Sequence, residues 1–299
     1  MSKSIRDLPV AAEPVGGEEH WAHKVDSGGY SQIIADTWAA KWKRDGDKPH
    51  AVEGTRFRAS MAGNCLRQLG YYAIGAEVSD PPTPADLYRM NVGTMLHEIL
   101  QAVAFEGAQM EVPFEIPAIS LSGSADVWYP DSKTVIEVKS AGGFPFKKIG
   151  VFNIAEGPKD NHLRQVALAA HALGAETIVV LYIGLETVNR GDMEKYGLTD
   201  QQRWLAEYVY SYEDLKPLAL KEIGRISAAT AVLDAGSLPE RHMPDMPDGA
   251  TINKPKPNSG KPTWTVVEDG VVTDTGTHWA CDYCRYQTLC QDNLNEEQS

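Results

Sequence analysis

The stretch Gly123-Ser-Ala-Asp-Val-Trp-Tyr-Pro-Asp-Ser-Lys-Thr-Val-Ile-Glu-Val-Lys139 decides the reading of this chain. Asp126 closes one apolar/polar alternating run, Ile119 to Trp128. Glu137 and Lys139 sit in a second, Thr134 to Lys139. Pro130, Asp131 and Ser132 between them carry turn chemistry, so the pattern predicts a β-hairpin. Residues two apart on a strand share a face, so Glu137 and Lys139 point the same way. Asp126 on the neighbouring strand can reach that face. Two carboxylates and an ammonium then converge. Carboxylates hold a hard cation such as magnesium or manganese. Such a cation activates water and steadies phosphoryl charge, while the lysine orients the water or neutralises the transition state. A cross-strand salt bridge on a solvated sheet face has the same residues. The hairpin alone leaves both readings open.

Outward from the hairpin, the pattern predicts helices over Gln32–Lys43, Ser60–Ile74, Ala85–Phe105, Asp160–Leu173 and Leu215–Leu233. Strands are expected at Met110–Ile116, Thr177–Leu185 and Tyr208–Tyr212, with a small hairpin over Thr263–Thr273. The apolar Thr177–Leu185 run suits a central strand. His97 lies on the helix one element upstream of the hairpin, sharing a face with Gln101. A lone helical histidine is ordinarily a hydrogen-bonded core residue, and this placement raises a functional role beside that one. Gln165 and Arg164 stand on the helix after the hairpin. Residues 147–158 read as a loop able to close over a polymer. The implied fold is α/β, with a mixed central sheet flanked by helices. Its parts are a loosely ordered tail (1–30), a core (31–238), a Pro-rich linker or extended wrap (239–262) and a C-terminal hairpin with a cysteine cluster (263–299).

The 299 residues carry a formal net charge of −13, which by itself repels nucleic acid. Averages conceal patches. Gly54 to Ala76 contains no acid and holds Arg56, Arg58 and Arg67, while Lys147, Lys148 and Arg164 follow the hairpin. These six are the candidate DNA-backbone contacts. No apolar run of membrane length and no signal-peptide core is visible, so a cytoplasmic protein without membrane association is expected.

Cysteines number four. Cys65 stands alone, and Cys281, Cys284 and Cys290 cluster near the far end. In a cytoplasmic protein metal or cluster ligation comes before disulfides. Zinc ribbons usually present two Cys-X-X-Cys pairs, which a singlet plus a triplet matches poorly. A cubane iron–sulfur cluster also needs four thiolates. Ligation would tie the C-terminal segment to the Cys65 helix.

Together these residues resemble the iron–sulfur branch of the PD-(D/E)XK nucleases, a family of RecB/AddB-type nuclease modules, the CRISPR-adaptation exonuclease and related phage exonucleases. The resemblance covers about residues 55–235 and 278–291. It implies a restriction-endonuclease-like core. Asp126, Glu137, Lys139 and Gln165 would be catalytic. Magnesium or manganese would be held by His97, Asp126, Glu137 and the Val138 carbonyl. A 4Fe-4S cluster would sit on Cys65, Cys281, Cys284 and Cys290. The implied activity is a metal-dependent DNA exonuclease acting on single-stranded ends in a bacterial or phage-infected cytoplasm, commonly 5′-to-3′ and leaving 5′-phosphates. The alternative is a DNA-end-binding or processing module dependent on a recombination or CRISPR-adaptation partner. The chain departs from the family at Ala169, where an aromatic residue often follows the glutamine by four positions.

Overall fold

The computed structural model describes residues 33, 36–37, 40, 54–152, 157–244, 251–252, 263–268, 271–277, 281 and 283–296. Its elements, in chain order, are β1 (Phe57–Arg58), α1 (Leu66–Ala73), α2 (Pro84–Val103), β2 (Gln109–Ile116), β3 (Leu121–Tyr129), β4 (Thr134–Ala141), α3 (Gly143–Lys147), α4 (Asp160–Leu173), β5 (Thr177–Gly184), α5 (Arg190–Tyr196), β6 (Leu205–Ser211), α6 (Tyr212–Asp234), β7 (Thr251–Ile252), β8 (Thr263–Glu268), β9 (Val271–Thr277) and α7 (Gln287–Glu296).

The chain divides into two compact units, Met1–His50 with Pro82–Val92, and Ala51–Pro81 with Gly93–Ser299. In the first, Thr37 Oγ1 donates to the Ile33 carbonyl at 2.7 Å, and both residues are helical. They belong to the predicted Gln32–Lys43 helix, of which residues 33, 36, 37 and 40 are described and helical; its other residues and the whole 1–30 tail lie outside the described ones. Thr83 caps the start of α2: its N–H donates to Asp86 at 3.1 Å, and Asp86 N–H returns the bond to Thr83 Oγ1 at 3.3 Å.

The second unit is mixed α/β. Its six-stranded sheet runs β1-β3-β4-β5-β6, with β2 on the other edge of β3. β4 and β5 are parallel over eight residue pairs, Thr134↔Thr177 to Ala141↔Gly184. β5 is therefore central, as its Val/Ile-rich sequence requires. β6 closes that side antiparallel. β3 and β4 pair only at Val127↔Ile136, Trp128↔Val135 and Tyr129↔Thr134, then part. Further along, β3 pairs instead with β1, parallel, at Phe57↔Leu121 and Arg58↔Ser122. Lys133, at φ 47°, makes the hairpin turn.

Helices flank the sheet. Leu96 and Leu100 of α2 pack on Val127, Val138 and Ile183. The larger core joins Val166, Leu168 and Ala169 of α4 to Val135, Ile178 and Val180 of the sheet. The predicted α4 boundaries coincide with the observed ones. Two expectations shift. The predicted Ser60 cap lies in a 3₁₀ turn, Ala59–Met61, and α1 starts at Leu66 with Cys65 as N-cap. Gly63, at φ 80°, turns the chain between them, close against Asn161. Residues 148–152, expected as loop, form a π-helical turn.

Residues 239–242 pack on the unit. A Cβ at Gly70 would lie 2.7 Å from Pro239 Cδ, and Leu66 N–H donates to the His242 carbonyl at 3.0 Å. Near the end of the chain, Asp80 caps α7 from outside, accepting from Thr288 N–H and Oγ1, both at 2.8 Å. Asn293 donates to Tyr71 Oη at 3.0 Å, and the Tyr71 and Tyr286 rings lie 5.5 Å apart. The C-terminal segment is thereby docked on α1.

Candidate active site

Where β3 and β4 part, backbone groups of β4 lose their strand partner. Asp126 fills that gap: its Oδ2 accepts from Val138 N–H at 2.8 Å. The carboxylate is 8% exposed and fixed in direction by a backbone donor. Glu137, one residue before on β4, is 1% exposed. Lys139 Nζ lies 2.5 Å from Glu137 Oε1 and donates to Gln165 Oε1 of α4 at 3.1 Å. Helix α2 brings His97, whose Nδ1 is 3.9 Å from Asp126 Oδ2. Four elements thus deliver Asp126, Glu137, Lys139, Gln165 and His97 to one place.

Burial pushes the Asp126 carboxyl above its usual range, against the pull of the Val138 N–H, Lys139 and His97. Glu137 is pushed up to about 7, by burial first and then by Asp126, with Lys139 opposing. Burial alone would lower the Lys139 ammonium, but the Glu137 contact outweighs it and the net shift is upward. Lys139 therefore keeps its proton. Glu137 Oε2 is buried with no hydrogen-bond partner among the described residues. A buried carboxylate oxygen without a donor is costly unless a proton or a cation occupies its lone pairs.

His97, Glu111 and Asp126 each offer a ligand atom, all within 4.8 Å of one another. One nitrogen and two carboxylates form a donor set suited to a divalent metal, and the orphaned Glu137 oxygen fits one as well. Glu111 is the residue that sequence reasoning missed. Met110 pairs with Val127 and Val112 with Ala125, so Glu111 stands opposite Asp126. It breaks the strand with φ 48°. Its carboxylate accepts from Gln101 Nε2 at 2.6 Å and Ser124 Oγ at 2.7 Å. An acid inside an alternating run gives no signal of its own. The β2–β3 register that turns it into a neighbour of Asp126 is not written locally.

A second unanticipated feature borders Lys139. His162, one helical turn before Gln165, has Nδ1 2.8 Å from Tyr182 Oη. Tyr182 is the cross-strand neighbour of Lys139. Burial pushes the imidazole down to about 3, with Lys139 and Lys159 adding to the shift, and pushes the Tyr182 phenol up.

The six basic residues read as DNA contacts fare differently. Arg164 is buried, bridging Asp160 and Glu222, the latter at 3.0 Å. Glu222 also binds Arg225 Nη1 at 2.7 Å and Gly63 N–H at 3.0 Å. Arg164 is thus committed to an internal ion network, and Arg67 is buried as well. Arg56 pairs with Asp234 at 2.5 Å, and Lys147 with Asp192 at 2.7 Å. Arg58 is half-buried. Lys148 Nζ lies over the Phe144 ring, 5.4 Å from its centroid. Ala169 is 1% exposed in the main core, leaving no room for an aromatic at that position.

All four cysteines are free thiols. Burial raises each of the shifted ones. Cys281 reaches about 12 with Cys65, Cys284 and Cys290 all nearby, and Cys284 about 11 with Cys65 and Cys290 nearby. Burial also raises Cys65, while backbone N–H groups of Gln68, His242 and Arg67 pull it back. Arg241 Nε donates to Cys290 Sγ at 3.2 Å. The solitary thiol and the terminal trio occupy one electrostatic neighbourhood.

No family model and no curated protein matches the chain. Among solved structures it is similar to SSO0001, at 16% identity and a TM-score of 0.44, covering 88% of this chain and 96% of that one. It is also similar to the alkaline exonuclease LHK-Exo of Laribacter hongkongensis, at 14% identity and 0.43, covering 67% and 93%. A phage-related exonuclease of Haemophilus somnus 129PT follows at 11% identity and 0.33, covering 69% and 82%. All three likenesses are distant.

Proposed function

We propose that the chain is a metal-dependent DNA exonuclease hydrolysing phosphodiester bonds at single-stranded ends. The observation that supports this reading is the meeting of Asp126, Glu137, Lys139 and His97 at the parting of β3 and β4, with a buried Glu137 oxygen lacking a donor. A structural salt bridge explains the Glu137–Lys139 contact but not two further carboxylates and an imidazole gathered beside it.

Magnesium or manganese, held by His97, Asp126 and Glu137 with the Val138 carbonyl, would polarise the scissile phosphodiester and lower the pKa of a bound water. Asp126 is fixed in direction through Val138 N–H. Lys139, kept protonated by Glu137 and aimed by Gln165, neutralises charge growing on the phosphoryl oxygens. Both hold their direction before substrate arrives, so little reorganisation is needed during reaction. The product carries a 5′-phosphate.

The four cysteines are assigned to a 4Fe-4S cluster. Thiolates need compensating donors when buried, and the three N–H groups at Cys65 and the guanidinium at Cys290 offer them. The cluster's role in this reading is a staple between α1 and the C-terminal segment. Colourless protein carrying zinc would replace this assignment with a structural zinc site.

The second reading is an end-processing module that works only with a recombination or adaptation partner. The observation favouring it is that Arg56, Lys147 and Arg164 already hold carboxylates, which leaves fewer cations for DNA than the sequence suggests. Purified protein with manganese and end-labelled linear and circular single strands separates the two. The exonuclease reading expects linear strands to shorten and circles to persist. Tight binding without cleavage of either would favour the partner-dependent module.

A further inference from the structure

Beyond the last catalytic strand, the chain runs Gly142-Gly-Phe-Pro-Phe-Lys-Lys148. The two phenylalanines are treated oppositely. Phe146 is 0% exposed, locked in the main core, while Phe144 is 65% exposed. The mount of that exposed ring is fixed. Phe146 N–H donates to the Gly142 carbonyl at 2.7 Å, and Lys147 is tied to Asp192. Gly143 lies so close to Glu186 that a Cβ there would be 2.6 Å from its Oε2. A large ring held in water on a rigid turn offers its apolar face at little further entropic cost. Single exposed hydrophobic residues are common, and two things set this one apart. Lys148 Nζ lies over one side of the ring, 5.4 Å from its centroid, so a cation able to meet a phosphate stands beside the aromatic. Phe144 is also five residues after Lys139 (144 − 139), so at ~3.6 Å per residue its Cα lies within about 18 Å of the ammonium-bearing residue.

We infer that Phe144 is a nucleobase-stacking subsite that seats a single strand a few nucleotides from the cut, with Lys148 on the adjoining phosphate. This rests on the nuclease reading. It adds a base contact to a site otherwise described through phosphate and metal. Stacking tolerates any base, because every base has a π-face.

The test uses full-length protein, with calcium replacing manganese so that strands stay intact, and a short fluorescent oligothymidylate beside an abasic strand of equal length. Phe144→Ala should weaken oligothymidylate binding about tenfold, the loss of one stacked base, and leave the abasic strand unaffected. Phe144→Trp should restore binding. The ring is exposed, so melting curves of both variants should match wild type. Equal affinity of wild type and Phe144→Ala for oligothymidylate, or an equal loss on both strands, overturns the subsite. If wild type cleaves with manganese while Phe144→Ala binds like wild type, only the subsite fails. If wild type neither binds nor cleaves any strand, the nuclease reading falls with it.

Discussion

Asp126 and Glu137 are neighbouring acids in a setting of low dielectric, where like charges disfavour joint ionisation. A bound cation would relieve that repulsion, and Glu111 offers it a further donor on the solvent side. Glu111→Gln keeps both hydrogen-bonded neighbours within reach but removes a charge. Manganese affinity, read by loss of the free-ion signal in electron paramagnetic resonance, should fall about tenfold while the melting temperature in metal-free buffer stays within a degree or two. Unchanged affinity would remove Glu111 from the ligand set. His162 gives a pH signature. Its folded pKa, about 3, lies below the ordinary 6.5, so folding favours the neutral ring. Its contribution is complete above pH 6.5 and is lost as pH falls towards 3, with a slope of at most about 1.4 kcal/mol per unit. Wild type should lose stability relative to His162→Gln across that window, as urea titrations at successive pH values would record. At this scale the sequence was partly legible. The meeting of Asp126, Glu137 and Lys139 was legible from strand period together with the hairpin turn. The burial of Arg164 was not legible, because the carboxylate it pairs with, Glu222, is 58 positions away in sequence.

At the scale of elements, the site exists because β3 leaves β4 after three residue pairs and takes β1 as its next neighbour. Gly123 permits that change. A Cβ there would lie 2.5 Å from Phe114 Cζ and 2.7 Å from Ala59 Cβ, with no flexible side-chain end to yield. Gly123→Ala should therefore cost about 1–3 kcal/mol of folding stability by chemical denaturation. A neutral result would mean that β1 and the following turn are not packed on β3 as described. Long periodic elements were legible: the hairpin, α4 and β5 all stand where pattern put them. Short ones were not. β1 has two residues, too few for any period, and α1 begins five residues after the last residue of a turn that resembles its own start, since Gly63 diverts the chain.

Within the second unit, hydrogen bonds from α7 hold the C-terminal segment on the α1 region. Asp80 caps α7, Asn293 reaches Tyr71, and Arg241 touches Cys290. If the thiols carry a cluster, the as-purified protein is brown. Cys284→Ser should then bleach it and lower the melting temperature by several degrees, because a crosslink over two hundred residues long is lost. A colourless wild type containing neither iron nor zinc would leave the docking to hydrogen bonds and aromatic contacts alone. The cysteine bracket was readable as a count and a spacing, whereas the contact of Arg241 with Cys290, which depends on how residues 239–244 wrap, was not.

Charge complementarity at the parted strands is the foundation of the functional account, and Lys139 is its simplest probe. Lys139→Met preserves the aliphatic stem and removes the ammonium. Single-turnover cleavage of a labelled linear single strand with saturating manganese should be measurable for wild type and slower by at least about a hundredfold for the variant. Equal rates in the two proteins would contradict the account.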